Sequence, residues 1–263
     1  MLSAGRVSIL PGDPGSPVIL HVPHASRELT PGARDALRLD DAALADELDH
    51  LTDAHTDLIA LRAAVASPVR PWIFANELSR LVVDPERFPD EREEMRAVGM
   101  GAVYTHGYAR RRLRDDDPAR DAELIRTYFD PYAQRMTDLV AARLAAAGRA
   151  VIIDVHSYST VPLPYELHGD GPRPQICLGV DAFHTPPAVS AAAIDAFGAY
   201  STAVDTPFAG AYVPLDYYGV EDAVSALMIE IRRDTYMSEP GGPPDEGLGA
   251  VADGLTALVA RLT

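Results

Sequence analysis

Apolar residues along this chain fall into two rhythms. Short β-rich apolar runs bounded by Gly and Pro occur at residues 16–22 ("SPVILHV"), 150–156, 175–180 ("QICLGV") and 223–233 ("AVSALMIEIRR"), and each reads as a strand. Elsewhere apolar positions recur three and four apart, the period of a helix. That pattern covers Asp40 to about Ala66 as one or two helices, and about Pro118 to Ala147 as a long amphipathic helix closed by Gly148. It returns from Pro187 to Gly198 and over residues 243–262. Residues 70–91 ("RPWIFANELSRLVVDPERFPDE") predict short strands and then a Pro-broken polar loop running to about Thr105. A connection of that length marks a functional surface. A Pro-rich loop is expected over residues 161–174, and no internal repeat or low-complexity segment is present. The alternation predicts one α/β domain over residues 1–263, a single mixed sheet with helices on both faces.

Composition narrows the chemistry. An apolar fraction of 47% supports a sizeable core, yet no stretch reaches the ~18 uninterrupted apolar residues of a membrane span. The formal net charge is −16 with the acids spread along the chain, so phosphate backbones are repelled and nucleic acid is not an expected partner. All 23 basic residues are Arg. Without Lys there is no Schiff base, no P-loop lysine and no Glu-Lys-Cys amidase apparatus. One cysteine, Cys177, excludes an internal disulfide and a thiolate zinc cluster, and within "QICLGV" it reads as a small buried hydrophobe. No G-x-S-x-G elbow is present for a serine nucleophile. The first residues, "MLSAGRVSILPGDPG", lack a basic n-region followed by an apolar h-region, and a cytoplasmic protein is expected.

Several polar residues suit no core. "VIIDVHSYS" (151–159) ends a run of β-branched residues on Asp154 and His156, two apart and hence on one face of a continuing strand. His24 follows the first predicted strand, and Glu230 lies near the end of the last. α/β sheets host chemistry at the carboxyl ends of their strands. In "DHLTDAHTD" (49–57), His50 and His55 are interleaved with Asp49, Asp53 and Asp57 on an expected helix, where Asp53 and Asp57 would share a face and repel slightly. Any one of these fits a solvated or hydrogen-bonded structural group. Together, ligands from distant segments are what an open catalytic zinc site needs: three protein ligands and a water. Without thiolates the set must be His, Asp or Glu. His24 and His156 are the best imidazoles, with Asp154 as a supporting partner.

Five motifs in order, "VPHAS" (22–26), "TDAHTDLI" (52–59), "SRLVVDPERFPDE" (79–91), "DVHSYS" (154–159) and "EIRRDTYMSE" (230–239), resemble the N-formylglutamate amidohydrolase family. The last two also resemble metallocarboxypeptidase segments. The resemblance spans roughly residues 18–240 and implies a zinc exopeptidase-like (phosphorylase/hydrolase-like) α/β fold and metal-dependent release of formate from N-formylglutamate. It implies His24, Asp53 and His156 as ligands of Zn²⁺ or another divalent metal, Glu230 as general base, and Arg80 and Arg87 as substrate-binding residues. Glu28 is a rival third ligand, since exopeptidases place a Glu three residues after their first His; here the interval is four. Two departures concern substrate: Glu86 stands where the family usually carries Asn, and Ala25-Ser26 where a Ser-Gly type pair is common.

These parts imply a small anionic N-acyl amino acid as partner, its carboxylates held by arginine forks. A carboxypeptidase-like or acylamino-acid zinc hydrolase, and a metal-binding homologue without turnover, are the alternatives. A Glu inside an apolar strand is costly unless paired or functional, so Glu230 is either catalytic or ion-paired with Arg232 or Arg233. His21 is expected as a satisfied core group, and at most one of His50 and His55 at the site. His106, His168 and His184 are expected on surface loops. Tyr217, Tyr218 and Gly219 are expected to form a pocket wall or turn.

Overall fold

The computed structural model describes residues 6–167 and 169–263. Strands are β1 (Val7–Leu10), β2 (Val18–Val22), β3 (Trp72–Asn76), β4 (Ala150–Tyr158), β5 (Ile176–Gly179), β6 (Thr202–Val204) and β7 (Val224–Arg232). Helices are α1 (Pro31–Ala36), α2 (Asp41–Leu51), α3 (Thr56–Ala66), α4 (Pro118–Leu124), α5 (Asp130–Ala147), α6 (Pro187–Ala196) and α7 (Gly247–Leu262). The strands form one sheet in the order β1-β3-β2-β4-β7-β5-β6. β3, β2, β4 and β7 run parallel, β1 and β5 are antiparallel to their inner neighbours, and β6 runs parallel to β5. The sheet is therefore mixed, as the sequence predicts.

Period-two alternation assigns the two faces. Val151, Ile153 and Val155 of β4, with Leu227, Ile229 and Ile231 of β7, pack on the face covered by α3, α6 and α7. Ala150 and Ile152, with Val224 and Ala226, pack on the opposite face beneath α5, against Tyr132, Met136 and Val140. Continuing that second series along the strands brings Asp154 and His156 on β4 and Glu230 on β7, so the α5 side turns from apolar to polar towards the carboxyl ends. His21 of β2 lies on the same face, in register with Asp154, and His156 is in register with Glu230.

Differences from the sequence reading are local. β1, α1 and β6 are short and carry little periodic signal. Of the short strands predicted within residues 70–91 only β3 forms, and residues 80–82 make a turn instead. The segment from Asp40 is two helices, and Asp53 sits in the break between them. Its N–H donates to His24 O at 3.0 Å, and His55 adopts the left-handed conformation (φ 66°) that starts α3. Asp53 is buried while Asp57 is exposed on α3, so the two do not share a face. A π-helical turn, Ile125–Phe129, joins α4 to α5 with helical backbone throughout, and Gly148 (φ 72°) closes α5. His156 and Glu230 lie within their strands, because β4 and β7 run on for nine residues each. His184 is buried, paired through Nδ1 with Val224 O (2.7 Å) and accepting the Gly219 N–H at Nε2 (2.8 Å). His106 is half-buried against Thr105, and His168 lies outside the described residues. Among the described residues, no helix is long and apolar enough to cross a membrane.

Candidate metal centre

Two loops and a strand converge on one point. His24 follows β2, Asp53 occupies the α2–α3 break, and His156 projects from β4. His24 Nδ1 and His156 Nδ1 are 3.3 Å apart, His156 Nδ1 is 3.1 Å from Asp53 Oδ2, and His24 Nδ1 is 3.6 Å from the same oxygen. A tetrahedral ion with bonds of about 2.0–2.1 Å would separate its ligand atoms by about 3.3–3.4 Å. The three edges bracket that value, and all three side chains are buried.

Hydrogen bonding decides which nitrogen is free. Asp84, fully buried, accepts from His24 Nε2–H at 2.9 Å, from Arg80 Nη2 at 2.9 Å, from the Tyr104 hydroxyl and from the Glu86 N–H. Burial opposes its charge, but His24 and Arg80 outweigh that and hold its carboxyl well below the usual range. An ionised Asp84 can only accept, so it fixes the His24 proton on Nε2 and leaves the Nδ1 lone pair facing Asp53 and His156. Lone pairs and a carboxylate oxygen aimed at one another need a cation between them, a proton or a metal. Burial disfavours charge on His156 and Asp53 too. The Glu86 and Asp53 carboxylates nevertheless hold the His156 ring protonated well above its ordinary range, and the hydrogen bond and charge of His156 hold Asp53 well below its own. A divalent ion would displace those protons.

Glu230 stands beside His156 on the neighbouring strand and borders a cavity of about 430 Å³. Burial pushes its carboxyl up to about 7, against the pull of the His156 charge. Its Oε2 has no hydrogen-bond partner among the described residues. The ion-pair alternative is absent: Arg232 pairs with Asp234, and Arg233 with Asp53 Oδ1 at 3.2 Å. Arg233 also donates to Ser157 Oγ and His50 O, tying β4 and α2 to the site.

The two predicted substrate arginines differ. Arg80 has all three nitrogens engaged, Nε to the Tyr104 hydroxyl, Nη1 to Leu51 O and Nη2 to Asp84. Arg87 also lines the cavity, and its nearest acid is Asp84, 3.5 Å from Nε. Glu28 does not join the cluster. Its side chain is 59% exposed and faces Arg6, because the loop after His24 turns it outward while Glu28 O takes the Ser79 N–H. Asp154 forms a separate group, bound to His21 Nδ1 at 2.6 Å and to the Tyr212 N–H at 2.6 Å, with His21 Nε2 on the Tyr132 hydroxyl. His21 is thus the satisfied core group the sequence predicts. His50 lines the cavity, stacked on Tyr108, whereas His55 turns away to Gly242 O.

Sequence reasoning missed Asp84 and Arg233. Asp84 ends the apolar run "RLVVDP" just before a Pro, a placement shared with many plain turns. Arg233 enters the sequence reading only as a possible ion-pair partner of Glu230, and nothing local points it to Asp53.

The sequence profile of the N-formylglutamate amidohydrolase family matches residues 16–237. The chain is 28% identical over 232 residues to an N-formylglutamate deformylase of Pseudomonas aeruginosa, covering 85% of this chain and 83% of that protein. Its fold is that of the N-formylglutamate amidohydrolase from Ralstonia eutropha JMP134 (TM-score 0.81, 20% identity, 98% of this chain and 97% of that one). A gene product from Agrobacterium tumefaciens has a similar structure (TM-score 0.71, 19% identity, 97% and 94% covered).

Proposed function

The chain belongs to the N-formylglutamate amidohydrolase family, and from that premise we propose that it is a divalent-metal-dependent amidohydrolase converting N-formyl-L-glutamate to formate and L-glutamate. The observation that carries the reading is the convergence of His24 Nδ1, His156 Nδ1 and Asp53 Oδ2, with Glu230 on the adjacent strand. The donor set, two imidazoles and a carboxylate without thiolate, suits Zn²⁺. When bound there, such an ion supplies Lewis acidity to the formyl carbonyl and lowers the pKa of an attacking water.

The chain's own residues do the rest. Glu230, poised near neutrality, takes the proton of the attacking water and passes it to the departing nitrogen as the C–N bond breaks. Arg87 holds a substrate carboxylate through its terminal nitrogens. Arg80 acts indirectly: with Tyr104 it fixes Asp84, which fixes the His24 tautomer. An anion approaching a protein of net charge −16 needs this local positive field.

The test is metal analysis of the purified protein followed by a formate-release assay. One equivalent of divalent metal, with formate and glutamate released stoichiometrically, is the expected result. Full turnover in rigorously metal-free protein would sink the mechanism. Turnover of N-acetyl or peptide substrates with none of N-formylglutamate would reassign the enzyme to another acylamino-acid hydrolase.

A further inference from the structure

Glu86 lies where the catalytic cavity meets a second one of about 610 Å³, and its side chain is only 13% exposed. Its Oε2 is 3.0 Å from His156 Nε2, outside hydrogen-bond geometry, and 3.8 Å from His24 Nδ1. Its Oε1 is 3.4 Å from His21 Nδ1, but that nitrogen is already committed to Asp154 at 2.6 Å. Among the described residues Oε1 is buried with no hydrogen-bond partner, and the ion-pair contacts of Glu86 are all to histidines. A buried carboxylate oxygen left without a donor is costly, so Glu86 has acceptor capacity that a bound molecule can use.

The connectivity of the substrate says which donor arrives. In an N-acyl amino acid the carbonyl oxygen, carbonyl carbon, nitrogen, α-carbon and carboxylate follow in fixed order, and the nitrogen lies about 1.33 Å beyond the carbonyl carbon. With the carbonyl at the His24–Asp53–His156 cluster and the carboxylate on Arg87, the N–H falls between the two. Glu86 lines the same cavity as the cluster and Arg87. It reaches two of the cluster's imidazoles at one end and is the chain neighbour of Arg87 at the other.

We propose that Glu86 accepts the hydrogen bond of the scissile amide N–H and, after cleavage, binds the ammonium of the released amino acid. The inference rests on the hydrolase reading above. The balance is that of amide hydrolysis: hydroxide from water bonds to the formyl carbon, the C–N bond breaks, and the nitrogen takes the water's other proton through Glu230. The formic acid so formed loses its proton to become formate, and the amine takes up a proton to become the ammonium. Glu86 transfers nothing; it is a substrate-binding residue. It confines the substrate class to N-acyl derivatives of primary amino acids and excludes N-alkylated or imino acids, whose nitrogen has no hydrogen to offer. A site built to receive an N–H rejects the analogue lacking it by a large factor.

The experiment uses zinc-loaded wild type, Glu86→Gln and Glu86→Ala, with metal content measured for each. Calorimetry compares L-glutamate with its 2-hydroxy analogue, and kcat/KM compares N-formyl-L-glutamate with its N-methyl derivative. Wild type should favour the amine over the hydroxyl, and the N–H over the N-methyl substrate, each by about tenfold or more. Both ratios should fall towards unity in the variants while zinc stays bound. Ratios unchanged in both variants overturn the proposal, as does loss of zinc from both, which would make Glu86 a support for His156. Amine-selective binding without hydrolysis of any N-formyl amino acid would refute the hydrolase reading and leave the Glu86 assignment standing. Hydrolysis with unaltered ratios would refute the assignment alone.

Discussion

Replacing Glu230 with Gln should stabilise the metal-free protein at alkaline pH while sharply lowering turnover. The folded protein raises this carboxyl from 4.5 to about 7, chiefly by burial. A folded pKa above the unfolded one means the folded state holds its proton longer. The group therefore carries no penalty below about pH 4.5. Stability is lost as pH rises from there, and the full cost is present above about 7. Holding the carboxyl at about 7 instead of 4.5 corresponds to roughly 3 kcal/mol. Glu230 borders an open cavity whose water screens it, so a discounted cost of about 1–3 kcal/mol is appropriate. Gln keeps the shape and removes the charge. Chelated Glu230→Gln should therefore melt about 3–8 °C above chelated wild type at pH 8, and the two should converge near pH 4.5. The zinc-loaded variant should retain its metal and lose a factor of about 10² or more in kcat. Thermal unfolding by circular dichroism at the two pH values, beside formate release, measures both. A variant less stable than wild type at pH 8 would mean that Glu230 contributes a native ion pair, and the argument for a strained, poised base would fail.

The remaining predictions concern its neighbours. Asp53→Ala should lower metal content far more than Glu28→Ala, measured by atomic emission after dialysis, because Glu28 is exposed beside Arg6; the reverse order would reassign the third ligand. Asp84→Asn should weaken Zn²⁺ affinity by about 10–100-fold, read by competition with a chromophoric chelator, since the His24 tautomer is no longer enforced. Arg87→Ala should lower kcat/KM for N-formylglutamate by about ten- to a hundredfold. Arg80→Ala should also weaken metal binding, and equal metal affinity in the two variants would remove the distinction drawn between them. The Cys177 thiol, pushed up to about 11 by burial, should not react with a disulfide reagent in native protein at pH 8 and should titrate as one equivalent in denaturant; rapid native labelling would contradict its burial.

By itself, the sequence determined everything that depends on local periodicity and on residue type. Apolar runs bounded by Gly and Pro specify β2, β4, β5 and β7, because pleat and helix impose different spacings on whatever must be buried. The lack of Lys and the single Cys restrict the chemistry to His and carboxylates. The order of the motifs singled out His24, Asp53, His156 and Glu230. Tertiary structure decided what depends on segments far apart in the chain. Asp53 reads as one more acid on a helix until the chain breaks between α2 and α3 and its N–H locks onto His24 O. The motif match favours Asp53 over its rival Glu28, but only the fold shows the loop turning Glu28 outward beside Arg6 while Asp53 is buried. Arg80 and Arg87 look equivalent in "SRLVVDPER" until Tyr104 and Asp84 are found to engage Nε and Nη2 of Arg80. Glu86 is a plain substitution until both its oxygens are found among three histidines from β2, the loop after it and β4. A side chain's partners across the sheet set its charge state and free lone pairs. That pairing follows from strand order and register, which no local pattern encodes.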